Sequence, residues 1–584
     1  MTSSPSTLSP RTFGNEDALP HVPLPTIEES CARLLDWSAP LLTDAQRAET
    51  EAAVEAFRAP GSPAHAWHAE LEQRAADSAS WLDPFWEARY LGRRDRIALN
   101  ANFFFLFEDS PLGQAERAAG LVAGALTYKL AIDAEELPPA TQRGNPLSME
   151  QNRYLFSATR IPGEVQDTAR TPYSDEWPGP SRETHIVVAR AGGFVRLDVI
   201  GPDGHPHTAE EIAAALREIL DSVGPGAGVG HLTTKARAEW ARSREALATD
   251  NAEHLDMIET ALFCLVLDDA APDGPLAAAD ALLHGNSANR WFDKAVSLIV
   301  FADGTAGYNG EHCKLDGTTV IAMIDAILDA PVDGPTARPQ GVPAWAAAEF
   351  TLDDELRADV EAAGRDFAEY AAATATTTVS LDFSAEQAKA LGCSPDAFAQ
   401  LVFQLAHRRA KGFTGATYES IATRAFRNGR TEAMRVVTPE VVAFVDAMED
   451  PGADDEDRRT AFRAAAQAHV ERAKQCQAGR APEQHLWELQ LIGSRRGDDE
   501  AALYDSPAWQ VMRDDYLSTS AVPSPHIAYW GFGSTSRKCI GVGYAMLPDR
   551  FDLYLSTPRT VGAQMEKFAA TLPAAVRELR SLLA

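Results

Sequence analysis

The sequence predicts a mixed α/β (α+β) protein in two halves. Three observations carry that expectation: helical periodicity near the N-terminus, paired β-runs joined by turn residues in both halves, and a Pro/Gly-rich segment near the middle of the chain. At 584 residues the chain suits two large domains, each with a sizeable core.

Residues 1–18 are rich in Ser, Thr and Pro and lack an apolar core, so they read as a disordered arm and not as a secretory signal. From Leu19 to about residue 90 the pattern is helical; Ile27-Glu28-Glu29-Ser30-Cys31-Ala32-Arg33-Leu34-Leu35 sets apolar groups at helical spacing. This segment is expected to pack on the C-terminal half. His185–Arg190 and Phe194–Val199 flank Ala-Gly-Gly and predict a hairpin. Val296–Phe301 and Ala306–Tyr308 flank Asp303-Gly304 and predict a second. His312 follows that second hairpin directly, where a rigid sheet can aim it. Pro331, Pro335, Pro339 and Pro343 mark the linker, which gives an N-terminal domain over 91–345 and a C-terminal domain over 346–584. Ser394-Pro395-Asp396 opens a helix, with Ser394 as N-cap and Pro395 in the first position. The acidic run Glu449–Asp457 reads as a surface loop. Cys539–Leu547 and Phe551–Leu555 read as strands around a Pro-Asp turn.

With 84 Asp and Glu against 53 Lys and Arg, the net charge is −31. Such a field repels nucleic acid and anionic membrane. No run of about eighteen apolar residues is present, so no membrane span is expected. Six cysteines lie far apart with no CxxC pair, which argues against a metal site and fits a reducing, cytoplasmic setting. Gly224–Gly230 lacks the spacing of a phosphate loop and reads as an ordinary loop.

The strongest local signal for chemistry is His312-x-x-x-Asp316-Gly317. An unshifted hydroxyl is a poor nucleophile, while an imidazole titrates near neutral pH and can take its proton. Alone the pattern is weak, and its surroundings strengthen it. Asn289-Arg290-Trp291-Phe292-Asp293-Lys294 precedes it; Thr417-Tyr418-Glu419-Ser420, Gly429-Arg430-Thr431-Glu432 and Ser518-Thr519-Ser520-Ala521-Val522-Pro523 follow. Leu19-Pro20-His21-Val22-Pro23-Leu24-Pro25, Arg160-Ile161-Pro162-Gly163 and Leu232-Thr233-Thr234 extend the set. In this order the motifs closely resemble the choline/carnitine O-acyltransferase family, from about residue 19 to the C-terminus.

That resemblance implies two chloramphenicol-acetyltransferase-like domains with a tunnel at their interface, acyl-CoA entering one mouth and the acceptor the other. No bound cofactor is implied; acyl-CoA is a co-substrate. It implies His312 as general base, Asp316 paired with Arg430, and Ser520 as hydrogen-bond donor to the tetrahedral oxyanion. For Ser518 and Thr519 the residues themselves favour a turn with self-bonded hydroxyls. Cys313 is not needed as a nucleophile.

The acceptor and donor positions depart from the family's pattern. Tyr418, Ser420 and Thr431 match acceptor-pocket positions, but the family's carboxylate-binding arginine is replaced by Gln484 in Glu483-Gln484-His485-Leu486. A glutamine offers no fixed cation, so ordinary carnitine is disfavoured. Choline enzymes carry Asn there, but Thr431 and Ala433 fit the choline pattern no better. Phe532 matches an aromatic that meets a trimethylammonium group; cation–π contact and core packing both account for it. On the donor side Lys389 matches one of two phosphate-binding lysines, the other falling on Ala385. Asp396 matches a residue near the pantetheine arm, though first-turn helix stabilisation also explains it. CoA ranks first as donor and a carrier-protein thioester second, since carrier proteins are usually acidic too. A non-choline alcohol or amine acceptor, and a non-catalytic acyl-thioester binder, are the competing readings.

Overall fold

The computed structural model describes residues 8–331 and 334–584. Its long strands, in chain order, are β1 (Phe103–Phe107), β2 (His185–Arg190), β3 (Gly193–Asp198), β4 (Cys264–Asp268), β5 (Ser297–Phe301), β6 (Ala306–Gly310), β7 (Trp345–Ala347), β8 (Thr374–Leu381), β9 (Thr417–Ala422), β10 (Thr431–Arg435), β11 (Leu517–Ala521), β12 (Ile527–Phe532), β13 (Ile540–Met546) and β14 (Phe551–Pro558). They form an eight-stranded sheet in the order β7-β3-β2-β4-β5-β6-β1-β12 and a six-stranded sheet in the order β8-β14-β13-β11-β9-β10.

Each sheet centres one compact unit. The first unit comprises residues up to Glu16, Glu87–Thr374 and Ser524–Gly533; the second comprises Asp17–Trp86, Ala375–Pro523 and Ser534–Ala584. In the first, both expected hairpins form. The β2–β3 turn places Ala191 and Gly192 at φ 48° and 77°, and the β5–β6 turn places Gly304 at φ 86°. Left-handed turn residues match the twist of flanking strands. β1, Phe-Phe-Phe-Leu-Phe, is buried along its whole length, as an interior strand should be. Its outer neighbour is β12, antiparallel, with Phe103 opposite Phe532.

In the second unit, helices Pro395–Lys411, Pro439–Glu449, Asp455–Gln477 and Gly562–Leu583 build an apolar core with the sheet. Phe398, Phe403, Phe444, Phe462 and Phe568 meet Leu517, Ile540, Val542 and Leu555 there. Ser394 caps the first of these helices by accepting from Ala397 N–H. Helices Ile27–Ser38, Asp44–Arg58 and Pro63–Asp77 pack on Glu483–Arg496 and Pro507–Arg513. Capping boxes at Thr26/Glu29 and Thr43/Gln46 start the first two of them.

The two sheets share a topology. In the first, β2, β4 and β5 run parallel, with β3 and β6 added antiparallel as hairpin partners. In the second, β9, β11 and β13 run parallel, with β10 and β14 added antiparallel. These five strands follow the same order in both sheets, a repeat that the sequence itself does not reveal.

Four expectations need correction. The predicted boundary at 345/346 is displaced: β7 pairs with β3, and helix Asp354–Ala372 packs on the turn Val229–Thr234, so the first unit continues to Thr374. Residues 332 and 333 of the proposed linker lie outside the described residues. Of the proposed disordered arm, residues 1–7 also lie outside them. Residues 8–18 are tied down: Thr12 N–H donates to Glu135 O at 3.3 Å, and Phe13 lies beneath the Arg153 guanidinium at 3.8 Å. The acidic run is only partly loop, because Asp454 caps a helix whose first turn is Asp455-Glu456-Asp457; carboxylates there face the positive helix end. Ser518 and Thr519 lie in β11 and not in a turn, since β11 runs between two parallel neighbours.

Candidate active site

His312 lies two residues past the end of β6, in the segment that leads into helix Gly317–Leu328. Its imidazole stacks on Tyr90 at 4.9 Å and 20°, and meets the edge of Phe103 at 5.2 Å. Its Nδ1 lies 3.6 Å from Asp316 Oδ1, and the side chain is 26 % exposed. Asp316 is itself fixed. Gln151 Nε2 donates to its Oδ2 at 2.7 Å, and Gln151 Oε1 accepts from Asp316 N–H at 2.8 Å and from the Thr319 hydroxyl at 3.0 Å. Nδ1 is thus the ring nitrogen turned toward a carboxylate.

The residues flanking His312 are clamped from below. Buried Glu311 accepts from Cys313 N–H at 2.9 Å and from Arg160 Nη1 at 3.0 Å. Arg160 donates to Asp167 at 2.6 Å, Arg237 donates to both Asp167 and Asp293 at 2.6 Å, and Trp240 Nε1 donates to Asp293 at 2.6 Å. Burial pushes the Asp293 carboxyl up to about 6 despite the Arg237 charge. Burial also raises Asp167, but Arg237 and Arg160 outweigh it and hold the group below its ordinary value. The Arg-Ile-Pro-Gly motif thus has a mechanical role: Arg160 links the histidine segment to the core. Breaking a buried charge network typically costs about 3–5 kcal/mol. Asp167→Ala is therefore expected to lower unfolding free energy by about that amount, read as a shift of the urea midpoint; a loss below about 1 kcal/mol would refute the linkage. Cys313 is buried beside His312. Burial, reinforced by Glu311, pushes its thiol well above the ordinary range.

Phe532 is placed by the β1–β12 register opposite Phe103, the residue that touches His312. Its ring lies 5.6 Å from Trp530. Both an ammonium-facing role and packing fit this position.

In the second unit, sheet register gathers most of the predicted polar residues on one face. Tyr418 pairs with Ser518 and Arg435, Ser420 with Ala433, and Ala422 with Thr431. Ser518 and Ser520 pair with Gly541 and Gly543. With a two-residue period, Tyr418, Ser420, Ser518 and Ser520 project to one side. The two glycines leave that side without side chains next to the serines. Thr519 points to the opposite face; its hydroxyl donates to Tyr418 O at 2.8 Å and accepts from Gln400 Nε2 at 2.8 Å.

Gln484, in the first turn of helix Glu483–Arg496, donates from Nε2 to Thr431 O at 2.7 Å. A carbonyl can only accept, so this bond fixes the amide orientation. Its buried Oε1 has no hydrogen-bond partner among the described residues. Arg430 is buried, with its guanidinium 5.0 Å over the Trp86 ring. Asp316 belongs to the first unit and Arg430 to the second. Lys389 is exposed and pairs with Glu386 at 2.7 Å.

Asp396 has more partners than first-turn helix stabilisation requires. The Tyr544 hydroxyl donates to its Oδ1 at 2.6 Å, and His469 Nε2 lies 3.0 Å from its Oδ2. Glu419 joins them: ligand-type atoms of Asp396, Glu419 and His469 all lie within 4.8 Å. Sequence reasoning missed Glu419 and His469. A glutamate alternating into the buried face of β9 was the available signal; the helix carrying His469 gives none.

Residues 22–574 match the family model described as Choline/Carnitine o-acyltransferase. The chain is 32 % identical to carnitine O-palmitoyltransferase 2, mitochondrial, of Rattus norvegicus over 592 residues, covering 92 % of this chain and 88 % of that protein. It is 30 % identical to carnitine O-acetyltransferase of Columba livia, covering 97 % and 94 %, and 29 % identical to that of Homo sapiens, covering 98 % and 95 %. Among the described residues no helix is long and apolar enough to cross a membrane. The chain belongs to the choline/carnitine O-acyltransferase family and is an acyltransferase.

Proposed function

We propose that the protein moves an acyl group from a CoA thioester directly to the hydroxyl of a small choline- or carnitine-like acceptor, with ordinary carnitine disfavoured. The observation that carries this reading is His312, clamped between Tyr90 and Phe103 with Nδ1 turned to Asp316. Nε2 takes the acceptor's hydroxyl proton as the oxygen attacks the thioester carbonyl. Ser520 donates a hydrogen bond to the resulting oxyanion. The C–S bond then breaks, and the imidazolium returns its proton to the departing thiolate. Asp316 orients His312, and Arg430 is the further charged residue of the catalytic set. Lys389 and Asp396 hold the donor. Tyr418, Ser420, Thr431, Gln484 and Phe532 hold the acceptor. The work is cytoplasmic.

Gln484 supports the exclusion of carnitine. One of its two amide N–H donors is spent on Thr431 O, its Oε1 can only accept, and the amide carries no positive charge to pair with a carboxylate. A charged hydrogen bond is worth about 1.5–3 kcal/mol. Gln484→Arg is accordingly expected to raise carnitine use over choline roughly ten- to a hundred-fold; an unchanged ratio would refute the acceptor reading. The broader test crosses a panel of acyl-CoAs with choline, carnitine, small polyols and amino alcohols, read by mass spectrometry. Thiol release without any acylated product would overturn direct transfer.

A further inference from the structure

Beneath the second sheet, on the face opposite Tyr418 and Ser520, lies a polar cluster in an otherwise apolar core. Asp396 comes from helix Pro395–Lys411, His469 from helix Asp455–Gln477, Glu419 from β9 and Tyr544 from β13. Their exposures are graded: the side chain of Asp396 is 40 % exposed, that of Glu419 4 % and that of His469 1 %. Both oxygens of Asp396 face donors, Tyr544 Oη at 2.6 Å and His469 Nε2 at 3.0 Å. Glu419 is less well served. Its Oε1 is 3.5 Å from Tyr544 Oη, and its Oε2 is buried, 3.8 Å from His469 Nε2, with no hydrogen-bond partner among the described residues.

We propose that Glu419 and His469 are positioning residues for the thioester donor: with Tyr544 they hold Asp396 as the one carboxylate turned toward the amide N–H groups of the donor's arm. The proposal rests on the reading of Asp396 as a donor-binding residue. An amide N–H needs an acceptor, and a carboxylate already oriented by two donors supplies one without reorganising. For Asp396 to serve, the second carboxyl must stay neutral. Burial holds Glu419 well above the ordinary carboxyl range, and the neighbouring Asp396 charge adds to this. Burial also raises Asp396, but the His469 hydrogen bond and charge, with Tyr544, outweigh it and hold it below the ordinary value. The titratable groups facing Glu419 are Asp396, His469, Tyr544 and Cys476; Gln400 is neutral. Both shifts favour a pair that carries one negative charge, on Asp396. As pH rises through the Glu419 value a second charge appears beside the first, draws Tyr544 and His469 away from Asp396, and weakens donor binding. The loss falls on the alkaline side, because the raised group gives up its proton there.

The test is calorimetric binding of free coenzyme A to the full-length chain across neutral to alkaline pH. Wild type is expected to lose affinity several-fold on the alkaline side beyond any loss shown by Glu419→Gln, which cannot ionise. Tyr544→Phe, which keeps the ring, should weaken binding at neutral pH. Asp396→Asn should weaken it roughly ten-fold or more at every pH. If Asp396→Asn binds like wild type, the donor reading fails and takes the proposal with it. If Asp396→Asn weakens binding while Glu419→Gln follows the wild-type pH profile, or Tyr544→Phe binds normally, the positioning role alone fails.

Discussion

His312→Ala is expected to lower acyl transfer by roughly 10²–10⁴-fold, the usual contribution of a positioned general base, and to leave the fold intact. Two structural facts separate these effects. The imidazole is partly exposed, so its removal opens no sealed core cavity. The segment around it is held by Glu311, Arg160 and Gln151 acting on Cys313 and Asp316, and none of those bonds uses the imidazole. Thiol release from acyl-CoA with acceptor present measures the loss, and circular dichroism with thermal unfolding checks the fold. A variant that transfers at the wild-type rate would remove His312 from the mechanism.

Ser520→Ala is expected to lower kcat by roughly 10²–10³-fold, about 2.7–4 kcal/mol, with little change in KM. The oxyanion exists only near the transition state, so a donor aimed at it contributes nothing to ground-state binding. Ser520 fits that role because the β11–β13 register sets it beside Gly543, on the face shared with Tyr418. Its neighbour Thr519 faces the helices and spends its hydroxyl on Tyr418 O. Steady-state kinetics on the acceptor that the panel identifies decide the matter. Equal falls in kcat and affinity would mean that Ser520 binds substrate without stabilising the oxyanion.

Features set by short-range chemistry were legible in the sequence. Gly192 and Gly304 announce hairpins because few other residues tolerate their backbone angles. Ser394-Pro395 announces a helix start for a similar local reason. Motif order singled out His312, Tyr418 and Ser520, and register explains why alternate residues of the two strand motifs share a face. Long-range pairing left no such trace. Nothing in Ile527–Phe532 says that it joins β1, and nothing near residue 345 says that the first unit continues to Thr374. The repeated strand order is equally silent, since it lies in connectivity and not in residue identity. Buried polar partners such as Glu419 and His469 are hidden for the same reason: each looks ordinary until the other element arrives.

The insertion of β12 beside β1 bears on how the protein is made. Phe103–Phe107 is synthesised early, and its edge partner Ile527–Phe532 only near the end. At about 5–20 residues per second, that apolar edge waits roughly 20–90 s on the ribosome before it can be paired. Throughout that interval it is an open template for another chain. A fragment stopped at Thr374 would never leave that state. Coexpression with a chaperone that shields nascent strands should therefore matter more for the first half of this chain than its own stability does.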